Sequence, residues 1–304
     1  MRISPDLEQL VLSALSVSDQ DEQTALQQLT TGRRVNQASD DPAAAAAEVN
    51  IAYQIDSCDQ YQRSISSIGS ELETADSSLN SAVTAIQSAI SLGVEGANST
   101  LSQSNRNTIA QEISGISQQV LSVANLSYNG HYVFAGTADA QPPYVTNSSS
   151  PGGVEYQGND DVNSVEIEPG QSIAVNQPGS QLFSAAGANV FEALSDLVNA
   201  LEDPNSTSDQ IGSATNEVRN AYDQLTSART FYGNTVDQIT STQNFLGNES
   251  IQLSQQQNNT VGVDMNVAAT DLTNAEEARS ATVQAAATVN DLSLMDYLST
   301  INAS

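Results

Sequence analysis

The sequence predicts a mainly α protein, in which the N- and C-terminal halves form a long coiled-coil helical rod with a small β-rich domain inserted in the middle. Two observations lead to this prediction. Apolar residues follow a heptad pattern over residues 47–93, and helical patterns return in the C-terminal third. Between them, residues 131–183 contain short β-branched and aromatic runs separated by Pro, Gly, Asn and Asp.

The first predicted helix has a weak heptad pattern close to the N-terminus. Its members include small residues, and they are Ile3, Leu7, Leu10, Ala14 and Val17. Isolated helices of this kind depend on tertiary packing for their stability. We therefore expect this helix to need a partner.

A helix–loop–helix corner is predicted to follow. Gly32 stops the first helical pattern, as a glycine just past a helix end does. Ser39 or Asp40 can cap the next helix, with Asp41 and Pro42 in its first turn.

The clearest pattern predicts a second, long helix. Steps of four and three residues alternate throughout, and all members but Gln54 and Gly93 are apolar or aromatic: Ala47, Ile51, Gln54, Cys58, Tyr61, Ile65, Ile68, Leu72, Ala75, Leu79, Ala82, Ile86, Ala89 and Gly93. A strict 3.5-residue period of this length implies left-handed supercoiling. Cys58 lies in the pattern, so we interpret it as a small buried hydrophobe.

The remaining helices follow after a break at residues 93–107. A third helix is expected to end near Asn129-Gly130, a turn dipeptide that also suits a helix C-cap. After the β insert, a short helix at residues 190–201 and a long one at residues 211–246 are predicted. The last helix ends in residues 292–298 and carries Val267, Leu272, Ala275, Ala278, Thr282, Ala286, Val289, Leu292, Leu294 and Leu298.

This layout is nearly symmetric about the insert, which suggests that the chain folds back on itself there and pairs its termini. We expect three parts: terminal helices at residues 1–42 and 262–304, a coiled-coil helical domain at residues 43–130 and 190–261, and a small β domain at residues 131–189.

Composition excludes several classes of function. Among 304 residues, 36 are acidic and 8 are basic, all of them arginine, giving a net charge of -28. A chain this acidic has no basic face for nucleic acid or for an anionic membrane surface. No apolar run is long enough to span a membrane, and the N-terminus makes a poor secretory signal. We therefore expect either a cytoplasmic protein or export without a cleaved signal.

No residue pattern indicates catalysis, a cofactor or a metal site. His131 is the only histidine, and we expect it at the surface or in a turn. Asn159, Asp160 and Asp161 resemble part of a calcium loop but lack the Gly and distal Glu of an EF-hand, so a solvated turn is favoured. The sequence predicts that the protein is not an enzyme.

Several segments resemble the flagellin superfamily. TTGRR at residues 30–34 and ASDDP at residues 38–42 look like its N-terminal signature. NGHYVFAGT at residues 129–137 is similar to the GxYxFAGT segment of hook-associated proteins of the FlgL type, and residues 156–170, MRIS at the start and residues 292–298 are also FlgL-like. Pro5, Asp6 and Glu8 depart from the polar, uncharged residues usual in that family.

The resemblance implies a structural subunit at the hook–filament junction, exported through the flagellar type III channel. It implies assembly through the terminal helices, which would be disordered in the free subunit. The residues expected at this assembly interface are Ile3, Leu7, Leu10, Ala14, Val17, Leu272, Ala275, Thr282, Val289, Leu292, Leu294 and Leu298. Implied partners are the adjacent hook-associated junction protein, flagellin, copies of itself and an export chaperone. Arg33 and Arg34 could contact phosphate or an acidic partner, or could pair with acids on neighbouring subunits.

Two alternatives remain at this point. A short flagellin would share the fold, although residues 292–298 lack features expected of a true flagellin. An unrelated secreted coiled-coil adhesin would not need paired, marginal helices at both termini.

Overall fold

The computed structural model describes residues 5–301, and the side chains of residues 9–288 within that range. The chain divides into two compact units. One unit contains Met1–Cys58 and Asn248–Ser304, and the other contains Asp59–Gly247. We refer to them as the terminal unit and the central unit.

Helices make up most of the described chain, which confirms the mainly α prediction. Their bounds are α1 Pro5–Thr31, α2 Pro42–Gly96, α3 Gln103–Ala124, α4 Gly179–Leu182, α5 Val190–Glu202, α6 Ser208–Val261 and α7 Met265–Ile301. The predicted break between α2 and α3 is therefore confirmed, and it is shorter than expected.

The small β region consists of four separate antiparallel hairpins, each of two strands. The paired strands are β1 Ser127–Tyr128 with β2 His131–Tyr132, β3 Tyr144–Thr146 with β4 Val154–Tyr156, β5 Ser164–Glu168 with β6 Gln171–Ala174, and β7 Ser184–Ala185 with β8 Ala188–Asn189.

One helix boundary was predicted wrongly. The third helix ends at Ala124, several residues before Asn129-Gly130. That dipeptide instead forms the turn of the β1–β2 hairpin, with φ of 50° at Asn129 and 88° at Gly130. Positive φ at both central residues is what a tight hairpin turn of this type requires, and Asn-Gly supplies it.

The heptad pattern of α2 forms the core of the central unit. Ile65, Leu72, Leu79 and Ile86 are each at most 1% exposed. Helix α6 runs antiparallel to α2, since Ser66 contacts Gln243 further along α6 and Asp76 contacts Arg229 nearer its start. Cys58, in the terminal unit, is buried as predicted.

The seam of α6 is more regular than predicted. Ala and Thr residues occupy alternate positions between the large apolar ones, so steps of three and four residues alternate along its buried face. The smaller members are Ala214, Ala221, Ala228, Thr235 and Thr242, each at most 8% exposed. Helices α3 and α5 pack against each other within the same unit.

Candidate assembly interface

The terminal unit pairs α1 with α7 through small side chains. Ser18 and Ala25 of α1 are buried, and so are Ala268 and Ala275 of α7. Small residues allow two helices to approach closely. They also contribute little apolar area, and burying one methylene-sized group stabilises by only about 0.8 kcal/mol.

An arginine bridges the two helices across this contact. Arg279 of α7 places Nε 2.7 Å from Oδ1 of Asp19 and Nη1 3.1 Å from Oε2 of Glu22, both on α1. All three side chains are partly exposed, so the ion pairs add little to the free energy of unfolding and chiefly fix the register.

The predicted assembly residues divide into three groups. Ala275 is buried at the α1–α7 contact, and Leu272 and Thr282 are half-buried on the same face of α7. Leu10 and Val17 are 64% and 56% exposed, and Ala14 is also exposed. The side chains of the other predicted residues lie outside the described ones: Ile3, Leu7, Val289, Leu292, Leu294 and Leu298.

The exposed residues define apolar flanks on α1. At about 100° per residue, Leu10 and Val17 lie on one side of the face that contacts α7. Leu12 and Leu26, which are 60% and 54% exposed, lie on the other side. We call these two surfaces the apolar flanks of α1. One of these flanks belongs to the heptad pattern of the sequence, and the face that contacts α7 is the stripe of small residues between the flanks.

Backbone hydrogen bonds join the α1–α2 connection to the end of α6 and the α6–α7 connection. Gly32 has φ of 68°, a conformation that glycine adopts without strain. Arg34 N donates to Val261 O at 2.7 Å, and Val263 N donates to Gly32 O at 3.1 Å. Beside these bonds, Val35 packs with Ala44 and Val261 in a small core. The α1–α2 connection and the α6–α7 connection are therefore held together. We call these two joined connections, residues 32–41 and 261–264, the hinge.

Both hinge arginines are engaged within the chain. Arg33 Nη2 lies 2.6 Å from Glu48 Oε1 on α2, and the same oxygen accepts from Gln257 Nε2 at 3.0 Å. Arg34 Nη2 lies 3.2 Å from Asp41 Oδ2 and donates to Thr260 O at 3.1 Å. In this structure both arginines thus bind acids and a carbonyl of the same chain, and their contact with another molecule stays a prediction.

The cap of α2 is Asp41 and not Ser39 or Asp40. Asp41 Oδ1 accepts from Ala44 N at 3.0 Å, and Pro42 is the first helical residue. This backbone hydrogen bond, with the neighbouring Arg34, lowers the pKa of the Asp41 carboxyl. Asp40 instead accepts from Asn36 N and Gln37 N, which closes the loop before the helix.

Residues 134–137, which we call the FAGT segment, lie in the central unit and connect the β insert to the helices. Phe134 is fully buried, with its ring centroid 5.5 Å from Phe183 and 6.3 Å from Tyr232. Tyr144 and Phe191 extend this aromatic cluster. Sequence reasoning identified the segment by resemblance and missed the cluster, because its members come from distant parts of the chain.

The residues predicted as a solvated turn also have a structural role. Asn159 Oδ1 accepts from Thr137 N at 2.7 Å, and its Nδ2 donates to Thr137 Oγ1 at 2.6 Å. Asp161 Oδ2 lies 3.1 Å from the same hydroxyl, and Asp160 bonds Ser180. The loop therefore holds the FAGT segment in place.

His131 is at the surface, as predicted. Its side chain is 68% exposed, and Nδ1 lies 3.0 Å from Asp139 Oδ2. Within the described residues, no group of three or more His, Cys, Asp or Glu is arranged to hold a metal ion. Over the same part of the chain, no helix has the length and hydropathy needed to cross a membrane.

Comparison with known proteins agrees with this architecture. Residues 6–139 match the family model of the bacterial flagellin N-terminal helical region. The chain is also similar to two curated proteins named flagellar hook-associated protein 3. It is 28% identical over 197 residues to that of Escherichia coli, covering 60% of this chain, and 29% identical over 164 residues to that of Salmonella typhimurium, covering 54%.

The matched regions span 61% and 50% of the length of those relatives. In fold, the chain is similar to the flagellar junction protein FlgL from Legionella pneumophila, with a TM-score of 0.60, 14% identity, and coverage of 71% of this chain and 100% of that one. The resemblance to the flagellin superfamily and to hook-associated proteins of the FlgL type is thus confirmed. These relatives are flagellar proteins and not enzymes, which is consistent with the absence of a predicted catalytic pattern.

Proposed function

We propose that this protein is a structural subunit of the bacterial flagellum that joins hook to filament, assembling through coiled-coil packing of its terminal helices. The observation that carries the proposal is the α1–α7 pair, which leaves apolar flanks exposed on α1 in a chain similar to flagellar hook-associated proteins. Leucine and valine side chains exposed on both sides of a helix are what packing against neighbouring subunits requires.

The proposed location is the outside of the cell, at the hook–filament junction, after type III export. The proposed partners are the adjacent hook-associated junction protein, flagellin, further copies of this chain, and a flagellar export chaperone before export. No role in catalysis, nucleic-acid binding or membrane insertion is part of this proposal.

The terminal helices, residues 1–42 and 262–304, are proposed to be disordered in the free subunit and to order on assembly. The α1–α7 contact supports this, because its buried members are Ser and Ala. Fixing the backbone of one residue costs about 1–2 kcal/mol, and these small contacts offset only part of it. Neighbouring subunits that cover Leu10, Leu12, Val17 and Leu26 would supply the missing apolar burial.

The experiment that tests this proposal places two carboxylates on the apolar flank of α1 formed by Leu10 and Val17. The double variant Leu10→Asp, Val17→Asp should abolish incorporation into hook–filament junctions, because it would bury two unpaired carboxylates against a neighbour. Gln20→Asp, on the exposed side of α1 opposite α7, is the matched control and should assemble normally. Motility and electron microscopy of isolated hook–filament structures report the result.

Normal assembly of the double variant would contradict the proposed interface. Removing about 30 residues from either end should likewise abolish assembly, as expected for paired terminal helices. A chain that still functions after both truncations would favour the adhesin alternative.

A short flagellin remains the second candidate, because the matching family model describes a flagellin region. The two differ in how far they polymerise. When seeded with filament fragments, a flagellin should extend long filaments by itself, whereas a junction protein should add only a short zone. Filament length by electron microscopy separates these outcomes.

A further inference from the structure

Helices α1 and α7, which pair in the terminal unit, carry net charge of the same sign. Helix α1 contains five acidic residues and no basic one. Helix α7 contains five acidic residues and one basic residue, Arg279. Their pairing therefore brings two negatively charged helices together, and the repulsion between like charges opposes it.

A groove between the two helices shows one place where this repulsion acts. It has a volume of about 440 Å³, and both Asp21 of α1 and Asp271 of α7 line it. Both aspartate residues are exposed. The other described residues that line the groove are uncharged, so no basic side chain among them offsets the two carboxylates: Thr24, Ala25, Gln28, Asn274, Ala275 and Ala278.

The arginines of the terminal unit whose side chains are described already pair with acids of the same chain. Arg279 Nε lies 2.7 Å from Asp19 Oδ1, and Arg279 Nη1 lies 3.1 Å from Glu22 Oε2. Arg33 and Arg34 are held by acids at the hinge and on α2. None of these three arginines is therefore left to compensate the remaining acids of α1 and α7.

Salt acts differently on the repulsive and the attractive contacts. Two helices in contact have axes about 8–10 Å apart, so acids on their exposed sides repel over roughly that distance. The screening length of salt water is about 10 Å at 0.1 M and about 3 Å at 1 M. Raising the salt concentration to about 1 M thus removes most of this repulsion, whereas the ion pairs of Arg279, which are in direct contact, are screened less.

Little apolar burial opposes the repulsion. The buried members of the α1–α7 contact are Ser18, Ala25, Ala268 and Ala275. Stabilisation by burial scales with the apolar area removed from water, and these small side chains supply little of it. The ionic strength therefore sets the balance between pairing and separation of the two helices.

We propose that salt controls whether α1 and α7 pair in the free subunit. At low ionic strength, repulsion keeps the two helices apart and unfolded, and at about 1 M monovalent salt they pair as in the structure. The inference rests on the proposed disorder of the terminal helices in the free subunit, and it names the condition that orders them without a neighbouring subunit.

The test uses the free full-length chain, with no other flagellar protein present. Circular dichroism at 222 nm follows the helical content as NaCl is raised from about 0.1 M to about 2 M, a range over which the screening length becomes shorter than the distance between the helices. The helical signal should rise. Hydrogen exchange followed by mass spectrometry should place the new protection in residues 9–31 and 265–288.

The kind of salt separates screening from a specific cation site. Screening depends on ionic strength, so KCl should act as NaCl does at equal concentration. A few millimolar CaCl₂ adds little ionic strength and should leave the terminal helices unprotected. Ordering by calcium at that concentration, or by only one of the two monovalent salts, would overturn the proposal.

A variant with four neutralised acids tests the source of the repulsion. Asp21→Asn, Asp271→Asn, Glu276→Gln and Glu277→Gln are combined in one chain, and all four residues are exposed. This variant should reach half of the helical gain at a salt concentration about threefold lower than the unmodified chain, because less charge remains to be screened.

The matched control removes the same amount of charge from the central unit. It combines Glu95→Gln, Glu112→Gln, Asp196→Asn and Glu217→Gln, all at exposed positions. Its half-point should equal that of the unmodified chain. Protection of the buried heptad residues of α2, measured in the same exchange experiment, shows that each variant has folded.

Three results would refute salt control. The terminal helices could be protected to the same extent at low and high salt, the four-acid variant could need as much salt as the unmodified chain, or the control could shift as far as that variant. The assembly function is tested separately by Leu10→Asp, Val17→Asp in hook–filament structures. Either proposal can therefore fail while the other stands.

Discussion

Single residues of the central unit decide how the insert is attached. Gly136 lies two residues after the buried Phe134 and has φ of 72°. A Cβ atom there would lie 2.1 Å from Asn159 Oδ1 and 2.3 Å from Asn159 O, distances that no side chain tolerates. The glycine of the FAGT segment is therefore explained by the loop that packs over it.

Replacing Gly136 by alanine should destabilise the central unit by about 3 kcal/mol. Positive φ costs alanine about 1–2 kcal/mol, and displacing Asn159 removes its bonds to Thr137. Gly170→Ala has a similar φ of 77° with open space around it, so it should cost only the strain. Urea unfolding followed by circular dichroism measures both variants, and equal losses would contradict this explanation.

The buried tyrosines should make stability sensitive to alkaline pH. Burial raises the pKa of the Tyr144 and Tyr232 phenols above the ordinary value of about 10. The unfolded chain then releases these protons at a lower pH than the folded chain does. The free energy of unfolding should therefore be fully retained below about pH 10 and fall as the pH rises further.

Urea unfolding at pH 9 and pH 11 checks this expectation. Tyr232→Phe should lessen the fall between the two pH values by about 1 kcal/mol, because one group no longer ionises on unfolding. The exposed residue Tyr53 provides the control, since Tyr53→Phe should leave the fall unchanged. If the free energy of unfolding falls as much in Tyr232→Phe as in the unmodified chain, the Tyr232 phenol does not contribute to the pH dependence.

At the scale of elements, the same heptad spacing has different outcomes in α2 and α1. In α2 the large apolar members are buried along the seam. In α1 the large members Leu10 and Val17 are exposed, and Ser18 and Ala25 are buried. Helix α2 packs against large residues of α6, whereas α7 presents Ala268 and Ala275, so α1 turns its small face toward it.

The hinge depends on a charge pair between elements. Arg33→Glu would place two carboxylates where Arg33 and Glu48 now meet at 2.6 Å, next to a buried Glu48 oxygen that has no partner among the described atoms. In assembled subunits, where the terminal helices are proposed to be ordered, we expect this variant to be cut faster by protease within residues 32–41. The double variant Arg33→Glu, Glu48→Arg should recover most of the protection, because the pair is restored in reverse.

Arg219→Glu is the control for the added negative charge, since Arg219 is exposed and bonds only the neutral Asn216. It should be cut at the rate of the unmodified chain. Equal cleavage of the single and double variants would mean that the ion pair does not hold the hinge. Mass spectrometry of the fragments locates the cut.

On the scale of the whole molecule, the two ends of the sequence belong to one unit. Helices α1 and α7 pair, and the hinge ties them through Gly32, Arg34, Val261 and Val263. The central unit has its own core, including the buried seam of α2 and the aromatic cluster. The units therefore differ in the amount of large apolar surface that each buries.

Limited proteolysis of the free subunit should reflect this difference. We expect rapid trimming at both ends and a resistant middle from about residue 43 to residue 261, because small-residue packing opens more readily. The mass of the resistant fragment gives its limits. Equal resistance along the whole chain would contradict the proposed disorder of the terminal helices.

The sequence by itself determined the helical class, the seam of α2, the place of the β insert and the resemblance to the flagellin superfamily. Each of these depends on local spacing or on a contiguous motif, which the order of residues displays directly. The burial of Cys58 followed from the same spacing.

Only the tertiary structure decided which face of α1 meets α7, that Asp41 caps α2, and that Asn159 holds the FAGT segment. These features depend on residues far apart in the chain, such as Arg33 with Glu48 and Phe134 with Tyr232. Spacing shows that a side chain can face a partner. The partner's size and charge, known only once the chain has folded, decide which of the possible faces is buried.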